Sequence, residues 1–194
     1  IGAGVVGVLV ARELTKYTDK VCIVEKGSDV SLGATRANSA IVHAGYDALP
    51  GTLKARLNVR GSVMMPKVCA ELGVKYKNNG SLVVGFNDED ENTLKALCER
   101  GIKNGVSGVR VIHRDEILLL EPNIGDEVTV ALHAPTGAIV CPYELCIASV
   151  GNAMDNGADL FCNFPVTSIE ENGGAYTIRS GENAVEATYV INSA

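Results

Sequence analysis

The residues able to do chemistry crowd toward the start of the 194-residue chain. Gly2-Ala3-Gly4-Val5-Val6-Gly7 carries glycines at G-x-G-x-x-G spacing. Between a strand and a helix, the first glycine permits a tight turn and the second lets a pyrophosphate touch the backbone. The third lets helix and strand pack closely, with the phosphates at the helix N-terminus. Glu25 follows 18 residues beyond Gly7, at the end of the apolar run Val21–Glu25 (VCIVE). A carboxylate there accepts hydrogen bonds from the 2′- and 3′-hydroxyls of an adenosine ribose and repels a 2′-phosphate, which selects FAD or NAD over NADP. Glycine makes up 21 of 194 residues, so the triplet alone is a weak signal and its setting has to carry the reading.

That setting is favourable. Val5 to Tyr17 has a helical pattern, apolar at 5, 6, 8, 9, 10 and 14, with Arg12, Glu13 and Lys16 expected outside. VCIVE reads as a parallel-sheet strand covered on both faces. Residues 27–38 read as a loop. Thr52 is placed to cap a long helix whose apolar stripe would be Leu53, Leu57, Met64, Val68 and Leu72; Gly61 within it suggests a close approach to the helix backbone. VKYKNNGSLVVGF (residues 74–86) reads as a hairpin about Asn78-Asn79-Gly80. Helices are expected over 88–104 and over 142–156, and GVRVIHRDEILLLEPNI (residues 108–124) reads as a short strand followed by a helix that Pro122 ends. Strands are expected in the alternating EVTVALHA and in ADLFCN. Beyond them come three strands of the tail, joined at Asn-Gly-Gly and Ser-Gly-Glu-Asn, and a final run YVINSA.

The fold class read from this order is α/β. A Rossmann-like dinucleotide domain, a parallel sheet plus a three-stranded β-meander, would be built from residues 1–73 and 136–194. Part of an α+β substrate domain, 74–135, would be inserted between them.

Composition narrows the function. An apolar fraction of 46% with 21% charged residues supports a buried core, and no apolar run reaches the length of a membrane span. Peripheral association with a membrane surface stays open. The net charge of −6, without a basic cluster, argues against a nucleic-acid partner. Cys22, Cys69, Cys98, Cys141, Cys146 and Cys162 lack CxxC spacing, so neither a zinc site nor a redox dithiol is encoded. The chain opens on Ile1, a signal segment is not expected, and the thiols read as reduced cytoplasmic cysteines; a Cys141–Cys146 disulfide is not expected.

Residues 31–56, SLGATRANSAIVHAGYDALPGTLKAR, resemble a segment of the FAD-dependent oxidoreductases of the D-amino-acid-oxidase superfamily. The likeness is greatest to glycerol-3-phosphate dehydrogenases and L-2-hydroxyglutarate oxidases. Ala134–Val140 (APTGAIV), the stretch from Gly157 through Val166–Ile169 (VTSI), and Tyr189–Ala194 (YVINSA) resemble three further family segments in the same order. The resemblance implies that Gly2, Gly4, Val5, Val6, Gly7, Glu25 and Lys26 serve FAD. Gly33, Ala34 and Thr35 would reach the pyrophosphate, while Asn38, Ser39, Ile41 and His43 would lie along the flavin. Val166 would serve the adenine side, and Ala194 would end a strand approaching the cofactor. It also implies a strand before Gly2 and a long continuation past Ala194, so the chain is expected to be an N-terminal piece of an enzyme, inactive alone.

The activity implied is oxidation of a CH–OH group on a small anionic substrate, glycerol 3-phosphate or a 2-hydroxy acid, with hydride transfer to FAD and an unidentified downstream electron acceptor. His43 is the catalytic candidate, as general base for the hydroxyl proton, against a role confined to positioning the flavin. An amine-oxidising flavoenzyme and a non-catalytic FAD-binding fragment are the alternatives. An NAD-dependent dehydrogenase fits less well, because the loop after Glu25 is long and polar. His113 and His133 read as structural or exposed. Arg36, Arg56 and Arg60 read as a solvated face able to steer an anion. Asp88–Glu91 suit a helix start without a metal.

Overall fold

The computed structural model describes all 194 residues, which divide into two compact units. The first comprises residues 1–39, 72–74 and 141–194, and the second 40–71 and 75–140. Residues 40–71 thus group with the middle of the chain, whereas the sequence boundaries at 73/74 and 135/136 assigned them to the nucleotide domain.

In the first unit, helix α1 (Val5–Leu14) and strand β1 (Cys22–Val24) follow the glycine loop. β1 pairs in parallel with β8 (Asp159–Phe161), Ile23 opposite Leu160. On the other side of β1, the Gly2 N–H donates to Val24 O at 2.8 Å. Ile1 is bonded in turn to the 191–193 segment: its amino group donates to Ile191 O, and Ser193 N–H donates to Ile1 O. YVINSA is therefore an extended lace beside Ile1 and forms no regular strand. Pro142 starts α5 (Pro142–Asp155), where its fixed φ and absent N–H cost nothing. Val8 and Ala11 of α1 meet Cys146, Val150 and Ala153 of α5 in a core that includes Val21, Ile23 and Val30. Arg12 is buried, contrary to the sequence pattern, because its Nε donates to Asn152 Oδ1 at 3.1 Å. Cys22 is exposed, so β1 is not covered along its whole length as a doubly buried strand would be. The tail forms the expected meander: β9 (Ser168–Asn172), β10 (Ala175–Ser180) and β11 (Asn183–Ala187). Gly173 and Gly174, both at positive φ, make the two-residue turn that suits a right-twisted hairpin.

In the second unit, β4 (Ser81–Gly85), β6 (Val130–Ala134) and β5 (Arg110–His113) form an antiparallel sheet with β6 central. One face packs Val83, Leu132 and Val111 against Leu94 and Leu97 of α3 (Asp88–Asn104). The other packs Leu82, Ala131 and Ile112 against Ile117 of α4 (Arg114–Leu120). The alternation expected of EVTVALHA holds over residues 127–130 and ends inside β6, which is buried on both faces. The α3 boundaries are local chemistry. Asn87 Oδ1 accepts from Asp90 N–H at 3.0 Å, four acids line the first turn, and Gly105 closes the helix at φ +84°.

A second small sheet joins β2 (Ile41–Val42), β7 (Ala138–Val140) and β3 (Tyr76–Lys77) in the order β2-β7-β3. The hairpin expected about Asn78-Asn79-Gly80 does not form: β3 pairs with β7, β4 with β6. Asn78 Nδ2 donates instead to Pro135 O and Gly137 O, at 3.0 and 2.8 Å. Thr52 caps α2 (Leu53–Leu72) as expected, accepting from Ala55 N–H at 3.2 Å. Its inward face is Ala55, Val59, Ser62 and Cys69, however, while Leu53, Leu57 and Met64 are exposed. A Cβ on Gly61 would touch nothing. No helix is long and apolar enough to cross a membrane.

Candidate functional site

The glycine loop is held so tightly that its composition follows from geometry. Gly2 sits at φ +96°, and a Cβ there would lie 2.9 Å from the backbone of Ala194. A Cβ on Gly7 would lie 2.1 Å from Gly2 O, so only glycine lets α1 start this close to the turn. A Cβ on Gly4 would stand 3.2 Å from Thr35 Oγ1. That hydroxyl accepts the Val5 N–H at 3.0 Å. Gly4 occupies the N-cap with no side-chain cap, and Val6 is exposed, so the first turn of α1 presents backbone N–H groups outward. Positive helix-end potential and free amides suit a diphosphate.

Glu25 closes the other side. Its Oε2 accepts from Ala3 N–H and its Oε1 from Gly27 N–H, both at 2.8 Å. A carboxylate offers about four acceptor sites, so two bonds fix its orientation and leave lone pairs for the hydroxyls of a ribose. Ala3 is fully buried, and its carbonyl accepts from Ser31 N–H at 3.0 Å and from Cys146 Sγ at 3.4 Å. Ser31 adopts φ +64°, a conformation rarely used outside glycine, to reach it. Burial pushes the Cys146 thiol up, so it stays protonated as a donor. Neither Ser31 nor Cys146 is marked by any motif spacing. A glycine loop without Cβ groups, open amides and an anchored carboxylate together fit the adenosine diphosphate portion of FAD.

The remaining sequence-chosen residues of this unit are near the loop in varying degree. Gly33, Ala34 and Thr35 lead into the one-turn 3-10 helix Ala34–Arg36, and Asn38 Nδ2 donates to Ala34 O and Thr35 O, tying the turn. Lys26, Gly33, Ala34, Asn38 and Ser39 are exposed. Val166 packs with Val24, Phe164 and Ile1.

Ile41 and His43 belong to the second unit. Ile41 pairs with Ile139, His43 follows β2 with its side chain exposed, and its carbonyl accepts from Asn58 Nδ2 at 2.9 Å. The close approach anticipated at Gly61 occurs at Gly45, where φ is +108° and a Cβ would lie 2.6 Å from Val59 Cγ2. Arg56 and Lys103 border an open cleft of about 460 Å³ with Thr52 and Asn104. Arg36 and Arg60 are exposed, as is His113. His133 is half-buried, and burial together with the Arg110 guanidinium holds its imidazole below the usual range.

The comparisons with known proteins cover the whole chain. It is 45% identical over all 194 residues to a glycerol 3-phosphate dehydrogenase of Caloramator mitchellensis, of which it spans 40%. It is 34% identical over 172 residues (88% of the chain, 41% of the relative) to the mitochondrial L-2-hydroxyglutarate dehydrogenase of Pongo abelii. Dithionite-reduced L-α-glycerophosphate oxidase from Mycoplasma pneumoniae, solved with FAD bound, superposes with a TM-score of 0.87 at 28% identity, covering 94% of this chain and 48% of that one. The chain thus spans less than half the length of each of these three proteins. The family model for FAD dependent oxidoreductases matches residues 1–194, and with the loop, the amides and the anchored carboxylate in place, the chain belongs to that family.

Proposed function

We propose that the protein carrying this chain oxidises the CH–OH carbon of a small anionic substrate, glycerol 3-phosphate before a 2-hydroxy acid. The observation that carries the choice is the 45% identity, sustained over every residue, to a protein named glycerol 3-phosphate dehydrogenase. FAD, when bound, supplies the hydride acceptor. The chain's own contributions are separate. Glu25 holds ribose hydroxyls, and Lys26 lies beside it. The first-turn amides of Gly4, Val6 and Gly7 hold the pyrophosphate with Gly33, Ala34 and Thr35, and Val5, whose N–H is taken by Thr35 Oγ1, lines the same turn. Gly2, Val166 and Ala194 shape the adenosine end, and Asn38, Ser39 and Ile41 line the path toward the flavin. His43 takes the substrate's hydroxyl proton on its imidazole as the carbon loses hydride, which leaves a carbonyl product. The nucleotide and substrate domains are assigned to 1–73 with 136–194, and to 74–135. Six free thiols suit a reducing compartment, and the cytoplasm is the proposed location.

The test uses the purified full-length protein under anaerobic conditions. It should be yellow and bleach with glycerol 3-phosphate faster than with L-2-hydroxyglutarate or an amino acid. His43→Gln should retain FAD and slow that bleaching about 100-fold or more. Bleaching by amino acids alone would overturn the substrate class, and wild-type bleaching by His43→Gln would remove the proton-acceptor role.

A further inference from the structure

The backbone from His43 to Ala48 is gripped at three carbonyls by two side-chain amides. Asn58 Nδ2 on α2 donates to His43 O at 2.9 Å. Asn104 Nδ2, at the end of α3, donates to Gly45 O at 2.9 Å and to Ala48 O at 2.7 Å. Gly45, one of the gripped residues, stands at φ +108°, and a Cβ there would lie 2.6 Å from Val59 Cγ2. Asn58 and Val59 are neighbours, so one turn of α2 supplies both the donor to His43 and the wedge against Gly45. On the other side, Ala40 at φ +62° accepts from Val140 N–H at 3.0 Å, fixing where β2 starts. The imidazole of His43 is itself exposed. Its position is therefore inherited from the backbone that bears it, and Asn58 holds that peptide directly.

We propose that Asn58 is a positioning residue for His43. Its amide fixes the peptide plane at His43 and, through it, the direction of the Cα–Cβ bond and the place of the imidazole. The inference rests on the reading of His43 as proton acceptor. Proton transfer needs the acceptor within hydrogen-bond reach, and a displacement of about 1 Å can cost on the order of 100-fold in rate. Asn58→Leu keeps the approximate size and removes the donor. Asn58 is half-buried, so water can serve the released carbonyl and the fold should persist.

In the full-length FAD-loaded protein, Asn58→Leu should slow anaerobic flavin reduction by glycerol 3-phosphate about 10- to 100-fold, with FAD stoichiometry and Tm unchanged. In a His43→Gln background the same substitution should add no further loss, because the group it positions is gone. An equal loss in both backgrounds, or none in either, overturns the proposal. A second readout is independent of turnover. The imidazole NMR signals of His43, assigned by their disappearance in His43→Gln, should shift in Asn58→Leu while those of His113 and His133 stay fixed. If His43→Gln reduces normally, the catalytic reading fails and this shift still decides whether Asn58 orients the ring; unmoved His43 signals overturn the proposal.

Discussion

Removing the Glu25 side chain should damage the protein in two separable ways. In the apo state the carboxylate serves two backbone donors, Ala3 N–H and Gly27 N–H. Ala3 is fully buried, so Glu25→Ala strands its N–H away from water at a cost of about 1–3 kcal/mol. Gly27 is half-exposed, and water replaces most of what it loses. A net fall near 2 kcal/mol follows, and at about 2–4 °C per kcal/mol for a domain of this size, Tm should drop by roughly 4–8 °C. The second effect appears only with the cofactor. Charge-assisted hydrogen bonds from ribose hydroxyls are worth about 1.5–3 kcal/mol, so the FAD dissociation constant should rise roughly 10- to 150-fold. Differential scanning fluorimetry of the apo protein reads the first effect, and titration of flavin fluorescence quenching reads the second. An unchanged apo Tm would refute the backbone clamp. An unchanged FAD affinity would refute the ribose assignment even if the clamp held.

Gly7→Ala forces a Cβ to 2.1 Å from Gly2 O, so α1 must retreat, with Tm lowered by several degrees and FAD lost on gel filtration. Gly61→Ala meets open space in the middle of α2 and should raise Tm by about 1–4 °C through helix propensity; a fall in Tm would show that something packs there after all. The pH dependence of stability should carry the mark of His133. Burial first, then Arg110, lowers its folded pKa against the opposing pull of Glu116, so its support for the fold is complete above the unfolded value of about 6.5 and is lost as pH falls through the folded value. Acidification from about pH 7.5 to pH 5 should therefore lower Tm less in His133→Gln than in the wild type; parallel curves would contradict the burial argument.

What the sequence disclosed was chemistry confined to neighbouring residues. Helix α3 has its Asn87 cap, its acidic first turn and Gly105 within its own length. The meander turns are written as Gly173-Gly174 and Gly181. Asn78-Asn79-Gly80 carries the same local signal, yet its flanking strands join different sheets, because Asn78 spends its amide on Pro135 and Gly137 carbonyls far along the chain. A turn signal names a change of direction and leaves open what each strand then pairs with.

The site divides along the same line, and α2 shows why. Its sequence holds two helical stripes: Leu53, Leu57 and Met64, and the smaller set Ala55, Val59, Ser62 and Cys69. Hydrophobicity favours the first as the core face, but the second is the one buried. Gly45 lets the loop after His43 come against Val59 with no space for a Cβ, and only small side chains allow a helix to seat that closely. Asn58 reaches the His43 carbonyl because Val59 is turned inward. The glycine loop and Glu25 were legible because phosphate and ribose chemistry dictates both residue types and spacing. Asn58 and Cys146 act through their side chains on backbone carbonyls brought near by the fold, where almost any donor of the right length would serve. No spacing rule marks such a donor; it becomes visible when the carbonyl it holds is located.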